Sequence, residues 1–220
     1  MRILSIRKGF QADHSSTSYE FFAIDKPLTR SERENVAKLS SRARPTKRRV
    51  SFIYHGDWND LPGGWEQLME KYYDVMYSES YDWWTLAIAF ETNKETIKKI
   101  KKYEFTGTDD LGVNVDSKKN RVVISISCRI SPDAGYLGDT YDDYYDDEED
   151  ELEGVVESED HLLNLLSENR KYLKKGDYRL LYGVWQKYGF ESEDEHPPEP
   201  SRMNKLPEPI KSLLSALDKP

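Results

Sequence analysis

The sequence predicts an α+β protein: a two-layer sandwich of a mixed β-sheet with helices, followed by a helical hairpin. Apolar and polar residues alternate over residues 121–130, which is typical of a strand with one buried face. Apolar residues recur at helical spacing over residues 161–188. Strand and helix patterns also alternate along the first 138 residues, and this alternation favours a sheet covered by helices.

Each element of the first part has its own signal. Thr29 and Glu32 form a capping-box signature at the start of a helix, and residues 65–76 carry apolar side chains at the spacing of a helix face. Residues 84–90 are apolar on both faces, as in a central strand. The predicted strands are residues 3–6, 19–24, 50–54, 84–90, 112–116 and 121–130, and the predicted helices are residues 29–40, 65–76 and 95–102.

The charge divides the chain into parts. Residues 139–160 contain 13 acidic and no basic residues, whereas the whole chain has a net charge of -9. Such a segment repels itself and has little to bury, so we expect an extended connector. The predicted organisation is an α+β body (1–138), the acidic connector (139–160), a helical hairpin (161–190), a Pro-rich linker (191–209) and a terminal helix (210–220).

Composition narrows the class of protein. The 220 residues are 37% hydrophobic and 33% charged, and no stretch approaches the ~20 apolar residues of a membrane-spanning helix, so we expect no membrane partner. The one cysteine, Cys128, excludes an intramolecular disulfide and a cysteine-based zinc site, which favours a cytoplasmic location. No zincin, Walker, Rossmann or deaminase pattern occurs, and we expect no cofactor.

Several segments resemble a family of bacterial proteins with no established activity. They include Tyr-Glu-Phe-Phe-Ala-Ile-Asp-Lys-Pro-Leu-Thr at residues 19–29 and Lys-Gly-Asp-Tyr-Arg-Leu-Leu-Tyr at residues 175–182. The resemblance touches both parts of the chain. It implies a bacterial cytoplasmic protein and implies no catalytic residues.

A cleft containing two histidines is one candidate site. His55, Asp57 and Asp60 follow a predicted strand, and one imidazole with two carboxylates is a set that can hold a divalent metal. His14 lies beside Ser15 in an earlier polar loop. If His14, His55 and Asp57 converge, the chain is a metal- or phosphate-ligand-dependent enzyme. Asp, Asn and Gly are also what an ordinary strand-to-helix loop requires, and this structural interpretation remains open.

A basic turn at residues 42–49 is the second candidate site. Such a turn can neutralise phosphates, which makes nucleic-acid binding an alternative function, although the chain is acidic overall. A solvated loop is the structural alternative. The basic residues are Arg42, Arg44, Lys47, Arg48 and Arg49.

The main prediction is a non-enzymatic protein-binding or adaptor subunit of a bacterial cytoplasmic complex. An acidic strip with interleaved tyrosines provides contact area and charge for a protein partner, and the aromatic face of the second hairpin helix provides a further surface. For the acidic strip, a solubilising linker and a phosphate mimic that competes with nucleic acid are the alternatives. For the helix, ordinary core packing is the alternative. The predicted docking residues are Asp142, Asp143, Tyr144, Tyr145, Asp146, Asp147, Trp185 and Tyr188.

Overall fold

The computed structural model describes residues 16–55, 61–80, 83–131, 160–190, 192 and 194–218. A seven-stranded antiparallel sheet lies at its centre, in the order β2-β1-β3-β4-β7-β6-β5. The strands are β1 (Ser16–Phe22), β2 (Arg49–His55), β3 (Val75–Ser80), β4 (Trp83–Glu91), β5 (Phe105–Thr106), β6 (Gly112–Lys118) and β7 (Arg121–Cys128). The strand predicted at residues 3–6 lies outside the described ranges.

Six helices accompany the sheet in the described part of the chain. They are α1 (Arg30–Ala37), α2 (Glu66–Lys71), α3 (Lys94–Ile100), α4 (His161–Lys174), α5 (Arg179–Tyr188) and α6 (Glu208–Ala216). The capping box predicted at the first helix is confirmed, because Thr29 accepts the Glu32 N–H and Glu32 accepts the Thr29 N–H. None of the described helices is both long and apolar enough to cross a bilayer.

The predicted α+β class is confirmed, with two differences in the arrangement. Every strand pair within the described ranges is antiparallel, so this part of the sheet is not mixed. Helices also cover both faces, because Leu86 and Ile88 pack in one core with α4, whereas Ala87 and Ala89 pack in a second core with residues of α1 and α2. The arrangement therefore has three layers where the sequence predicts two.

The helix predicted at residues 65–76 is wrong over its second half. Helix α2 ends at Lys71, and β3 begins at Val75. Tyr73, Met76 and Tyr77 are completely buried, because this strand lies inside the sheet with a core on each side. A strand buried on both faces does not alternate between apolar and polar residues. The apolar residues of β3 also happened to continue the helical spacing of the apolar residues in α2, so the two elements looked like one helix.

The two hairpin helices share the core of the sheet. Leu162, Leu166 and Leu181 are buried in the same cluster as the inner residues of β4 and β7. The residue boundaries of the five predicted segments stay a prediction.

A buried ion-pair cluster fixes α4 to the sheet. Arg170 donates to the Ala89 carbonyl at 2.7 Å and to Asp25 Oδ1 at 2.9 Å, and it lies 3.3 Å from Asp74 Oδ1. Asp74 also accepts a hydrogen bond from Arg121 at 3.0 Å. Because buried charges are costly unless they are paired, this cluster specifies where α4 sits on the sheet.

Candidate functional site

Many of the predicted site residues lie outside the described ranges. In the candidate cleft, His55 is the last residue of β2, and His14, Asp57 and Asp60 fall outside. Among the residues that are described, no group of three His, Cys, Asp or Glu side chains is arranged to hold a metal ion. The tyrosine-containing acidic strip also falls outside these ranges, with its six predicted docking residues Asp142, Asp143, Tyr144, Tyr145, Asp146 and Asp147.

The two predicted docking residues of α5 take different positions. Tyr188 is 2% exposed, and its hydroxyl donates to the Asp218 carbonyl at 2.7 Å, so it belongs to the core and not to a surface. Trp185 is half-buried, and its ring lies 3.9 Å from the ring of His196 in the Pro-rich segment. For Tyr188 the core alternative is therefore the one that the structure shows.

The basic turn divides into outward and inward residues. Arg42, Arg44 and Lys47 are exposed. Arg48 donates to the carbonyls of Ala23 and Ile24 at 3.1 and 3.0 Å, and Arg49 is 5% exposed. The expectation that all five side chains present their charge to a ligand is wrong for Arg48 and Arg49, because the first satisfies backbone carbonyls and the second faces the interior.

The sheet edge at β5 is closed by other parts of the chain. The Thr106 N–H points away from β6 and donates to Asp194 Oδ2 at 2.8 Å. Beyond the two residues of β5, the Val115 N–H of β6 donates to Glu104 Oε1 at 3.0 Å. Side chains therefore satisfy two outward backbone donors of this edge, those of Thr106 and Val115, and this protects that part of the edge from pairing with another strand.

The opposite edge, formed by β2, is closed at one end. The Arg49 N–H donates to Thr46 Oγ1 at 2.8 Å, and the Arg49 carbonyl accepts the Thr46 N–H at 2.8 Å. Arg49 therefore directs its backbone groups away from β1. Because backbone direction alternates along an antiparallel strand, Ser51, Ile53 and His55 also direct theirs outward.

No strand of the described part of the chain pairs with the outer side of β2. The Ile53 side chain is 37% exposed on this strand. Two other large apolar side chains are exposed within the described ranges, Trp83 and Phe190, which lies beyond the end of α5. The Arg129 guanidinium lies 5.1 Å from the centre of the Trp83 ring. We use the name open edge for the outer side of β2 at Ile53.

Buried polar groups lie behind the open edge and hold its register. Glu20 of β1 is 4% exposed and is the cross-strand partner of Ser51. Its Oε2 accepts the Ser51 hydroxyl at 2.6 Å and lies 3.7 Å from Arg49 Nη2. A buried carboxylate between two such partners resists a shift of β2 along β1, because a one-residue slip would turn the Arg49 charge to the opposite face.

Tyr77 and Asp160 extend this polar layer toward α4. The Tyr77 hydroxyl donates to Asp160 Oδ2 at 2.6 Å, and Asp160 Oδ1 caps α4 by accepting the N–H groups of Leu162 and Leu163. Burial, together with the nearby Asp160 and Glu20 carboxylates, raises the pKa of Tyr77 well above its usual value. The hydroxyl is therefore a permanent donor that fixes the start of α4 on β3.

The sequence analysis missed this polar layer, although one signal for it was present. Glu20 is a charged residue inside the apolar run 19–24, and a charged residue in a buried strand requires a partner. Nothing in the sequence identifies Arg49 as that partner, because the pairing depends on the register of β1 and β2.

Strand β2 combines an outermost position among the described strands with a fixed register. An outer strand with outward backbone groups and a fixed register can accept an extended peptide as an additional strand. The thiol of Cys128 is fully buried, and burial raises its pKa, so it is an inert core residue. Comparison with protein-family models, curated proteins and solved structures gave no match to this chain.

Proposed function

We propose that this chain is a non-enzymatic protein-binding subunit that accepts an extended segment of a partner protein at the open edge. The observation that carries the proposal is the contrast between the two sheet edges. Side chains close the backbone donors at Thr106 and Val115, whereas no strand among the described residues covers the outer side of β2, where the Ile53 side chain is exposed. Main-chain hydrogen bonds would supply affinity, and contacts at Ile53 would contribute selectivity.

Inward-pointing charges are one way in which proteins prevent edge pairing, and Arg49 is such a charge. It lies at the end of β2 that Thr46 already closes. The proposed partner adds beyond this end, around Ile53.

We also propose that the acidic strip, residues 142–147, is a second docking element for the partner. The proposed location of the protein is the bacterial cytoplasm. The strip lies within residues 139–160, which hold 13 acidic and no basic residues, and the resemblance to bacterial proteins together with a single cysteine favours that location.

Replacement of one residue tests the open edge. Ile53→Pro removes an N–H that points outward and leaves the β1 ladder its own donors at the neighbouring positions, and proline is tolerated on edge strands. Ile53→Val is the matched control because it keeps the N–H and a β-branched apolar side chain. Peptides selected from a random phage-displayed library on the full chain are measured against both variants by fluorescence anisotropy.

We expect the selected peptides to bind Ile53→Pro at least about tenfold more weakly than wild type, and Ile53→Val within about threefold. Because the proline variant could lose structure, amide exchange of wild type is measured with and without peptide. Slower exchange at Ile53 in the complex would support edge addition.

Two results would overturn the proposal for the open edge. One is peptide binding that leaves Ile53 exchange unchanged and disappears when residues 142–147 are deleted, which would assign docking to the acidic strip. The other is a selection that yields no peptide with measurable affinity.

A further inference from the structure

We infer that an aromatic surface beside α5 binds a proline-rich segment of a partner protein with the pattern Asp-x-x-Pro-x-x-Pro, which displaces a segment of this chain that has the same pattern. The chain's own copy is Asp-Glu-His-Pro-Pro-Glu-Pro at residues 194–200, which we name the resident segment. Neither the segment nor the surface includes a residue of β2, so this site is independent of the open edge.

Four aromatic side chains form the surface on which the resident segment lies. Tyr182 and Trp185 share a face of α5, and their ring centroids are 5.5 Å apart. Tyr103 ends the short helical turn after α3, and its ring centroid lies 5.4 Å from that of Tyr178. Burial, together with the nearby Tyr178 and Tyr182, raises the pKa of Tyr103 to about 12, so its hydroxyl remains a donor at neutral pH. We use the name aromatic surface for these four residues.

The resident segment contacts this surface through a ring and a backbone carbonyl. The Tyr103 hydroxyl donates to the Pro198 carbonyl at 3.0 Å. The ring centroids of His196 and Trp185 are 3.9 Å apart. Aromatic-lined surfaces are how several kinds of domain recognise extended proline-rich segments. A hydroxyl that points at a carbonyl suits such a ligand, because an extended proline-rich chain makes no hydrogen bonds within itself.

The sequence of the resident segment favours an extended conformation. Every residue from His196 to Pro200 is a proline or precedes one. Proline holds φ at about −65°, and the residue before a proline is restricted to extended backbone. Residues 195–200 accordingly belong to no helix or strand. The polyproline II helix that this sequence favours is already formed before binding, so little conformational entropy is lost when it docks.

One face of the resident segment meets the protein, with a period of three residues. Asp194, Pro197 and Pro200 share a face of a polyproline II helix, which has three residues per turn. The Thr106 N–H donates to Asp194 Oδ2 at 2.8 Å, Pro197 is buried and Pro200 is half-buried. The two residues between these prolines are exposed. The pattern Asp-x-x-Pro-x-x-Pro therefore describes what this surface contacts.

The resident segment has few hydrogen bonds that a partner must replace. Between residues 195 and 200, the one hydrogen bond to another part of the described chain is that from Tyr103 to the Pro198 carbonyl. The chain that follows is anchored separately, because Arg179 donates to the Lys205 carbonyl at 2.7 Å. A segment of this kind can open locally without global unfolding. An acidic residue in the partner would then satisfy the N–H that Asp194 releases.

Competition within the chain sets the affinity that a partner needs. A ligand tethered to its own site acts at an effective concentration of about 1 mM. A separate peptide of the same sequence therefore binds wild type weakly. Any change that weakens the resident segment raises the apparent affinity of this peptide, because the binding-competent open state becomes more populated.

Two single substitutions test the inference on the full chain. Pro197→Ala removes a ring from the buried face of the resident segment. Pro198→Ala is the matched control, since it removes a ring from the exposed face and keeps the carbonyl that Tyr103 contacts. The probe is the peptide Asp-Glu-His-Pro-Pro-Glu-Pro, with a scrambled peptide of the same composition as its control. Binding is measured by NMR titration of the Thr106 amide and the Trp185 indole.

We expect the peptide to bind Pro197→Ala at least about fivefold more tightly than wild type, and Pro198→Ala within about twofold of wild type. Both NMR signals should shift as the peptide binds, and the scrambled peptide should shift neither. Tyr103→Phe added to Pro197→Ala keeps the aromatic ring and removes the hydroxyl, and it should weaken the peptide about threefold or more.

Three results would overturn the inference. One is that about 5 mM peptide fails to bind Pro197→Ala. Another is binding that shifts neither the Thr106 nor the Trp185 signal and is unaffected by Tyr103→Phe. The third is a wild-type dimer, detected by analytical ultracentrifugation, that Pro197→Ala dissociates, which would assign the surface to the tail of a second copy. None of these results decides the proposed function, because docking at the open edge is measured at Ile53.

Discussion

The two edges of the sheet differ in how their backbone is protected. At the β5 edge, an acidic side chain from the Pro-rich segment and one from the end of the α3 region accept the N–H groups of Thr106 and Val115. At the β2 edge, Thr46 performs this role for Arg49, and Ile53 is exposed further along. Unprotected edges promote association, so the exposed Ile53 on the outermost strand among the described residues is a candidate surface for a partner strand.

The largest effect that we predict comes from the polar layer behind the open edge. Arg49→Met should lower the free energy of unfolding by about 3–5 kcal/mol, because Glu20 loses its cationic neighbour in a buried position. Urea denaturation followed by tryptophan fluorescence measures the change.

A second substitution separates charge from packing at this position. Glu20→Gln combined with Arg49→Met should recover most of the loss, since no charge then remains buried without a partner. A single variant within about 1 kcal/mol of wild type would show that the ion pair does not hold β2 in place.

At the closed edge, Gly107 allows the backbone to approach α5. A Cβ atom at this position would lie 2.0 Å from the Tyr188 carbonyl oxygen, which is backbone and cannot rotate away. Gly107→Ala should therefore cost about 3 kcal/mol in thermal or urea denaturation. Lys102→Ala, an exposed change on the same side of the sheet, is the control, and equal stability of the two variants would contradict the close approach.

A smaller effect is expected from the acidic side chains that close the β5 edge. Asp194→Asn and Glu104→Gln should each cost about 1 kcal/mol, because a charged acceptor is replaced by a weaker neutral one. Glu195→Gln changes an exposed carboxylate in the same tail and serves as the control. Faster amide exchange at Thr106 or Val115 in the corresponding variant would confirm the closure, and unchanged exchange at both would refute it.

The ion-pair cluster around Arg170 should influence stability through pH. The hydrogen bond from Arg170 holds the pKa of Asp25 below its ordinary value of 3.8. A carboxyl group whose pKa is lowered by folding stabilises the fold at pH values above its ordinary pKa of 3.8. This contribution disappears as the pH falls from 3.8 toward the pKa of the folded state. In this acid range the denaturation midpoint of wild type should fall more steeply than that of Asp25→Asn. Parallel curves would exclude the linkage.

The sequence predicts the parts of this fold that depend on local signals. The capping box at Thr29 and the alternation over residues 121–130 are local patterns, and both produce the expected elements. The strand β3 was hidden because burial on both faces removes alternation. The open edge was missed for a different reason: which strand lies outermost depends on long-range pairing, and β2 looks like any other strand along the chain.

The candidate docking residues show the same limit. Aromatic residues of α5 are compatible with either a surface or a core, and only packing against Asp218 and the sheet assigns Tyr188 to the core. The basic turn was recognised from composition, but the inward direction of Arg48 and Arg49 depends on β1 and the segment after it.

Amide hydrogen exchange of the free protein, measured residue by residue, tests the contrast between the two edges most directly. Our account predicts that the Ile53 amide exchanges orders of magnitude faster than the Thr106 and Val115 amides, because only the latter two donate to closing carboxylates. If Ile53 is protected as strongly as Val115 in the free protein, the β2 edge is already closed and the proposed docking surface does not exist.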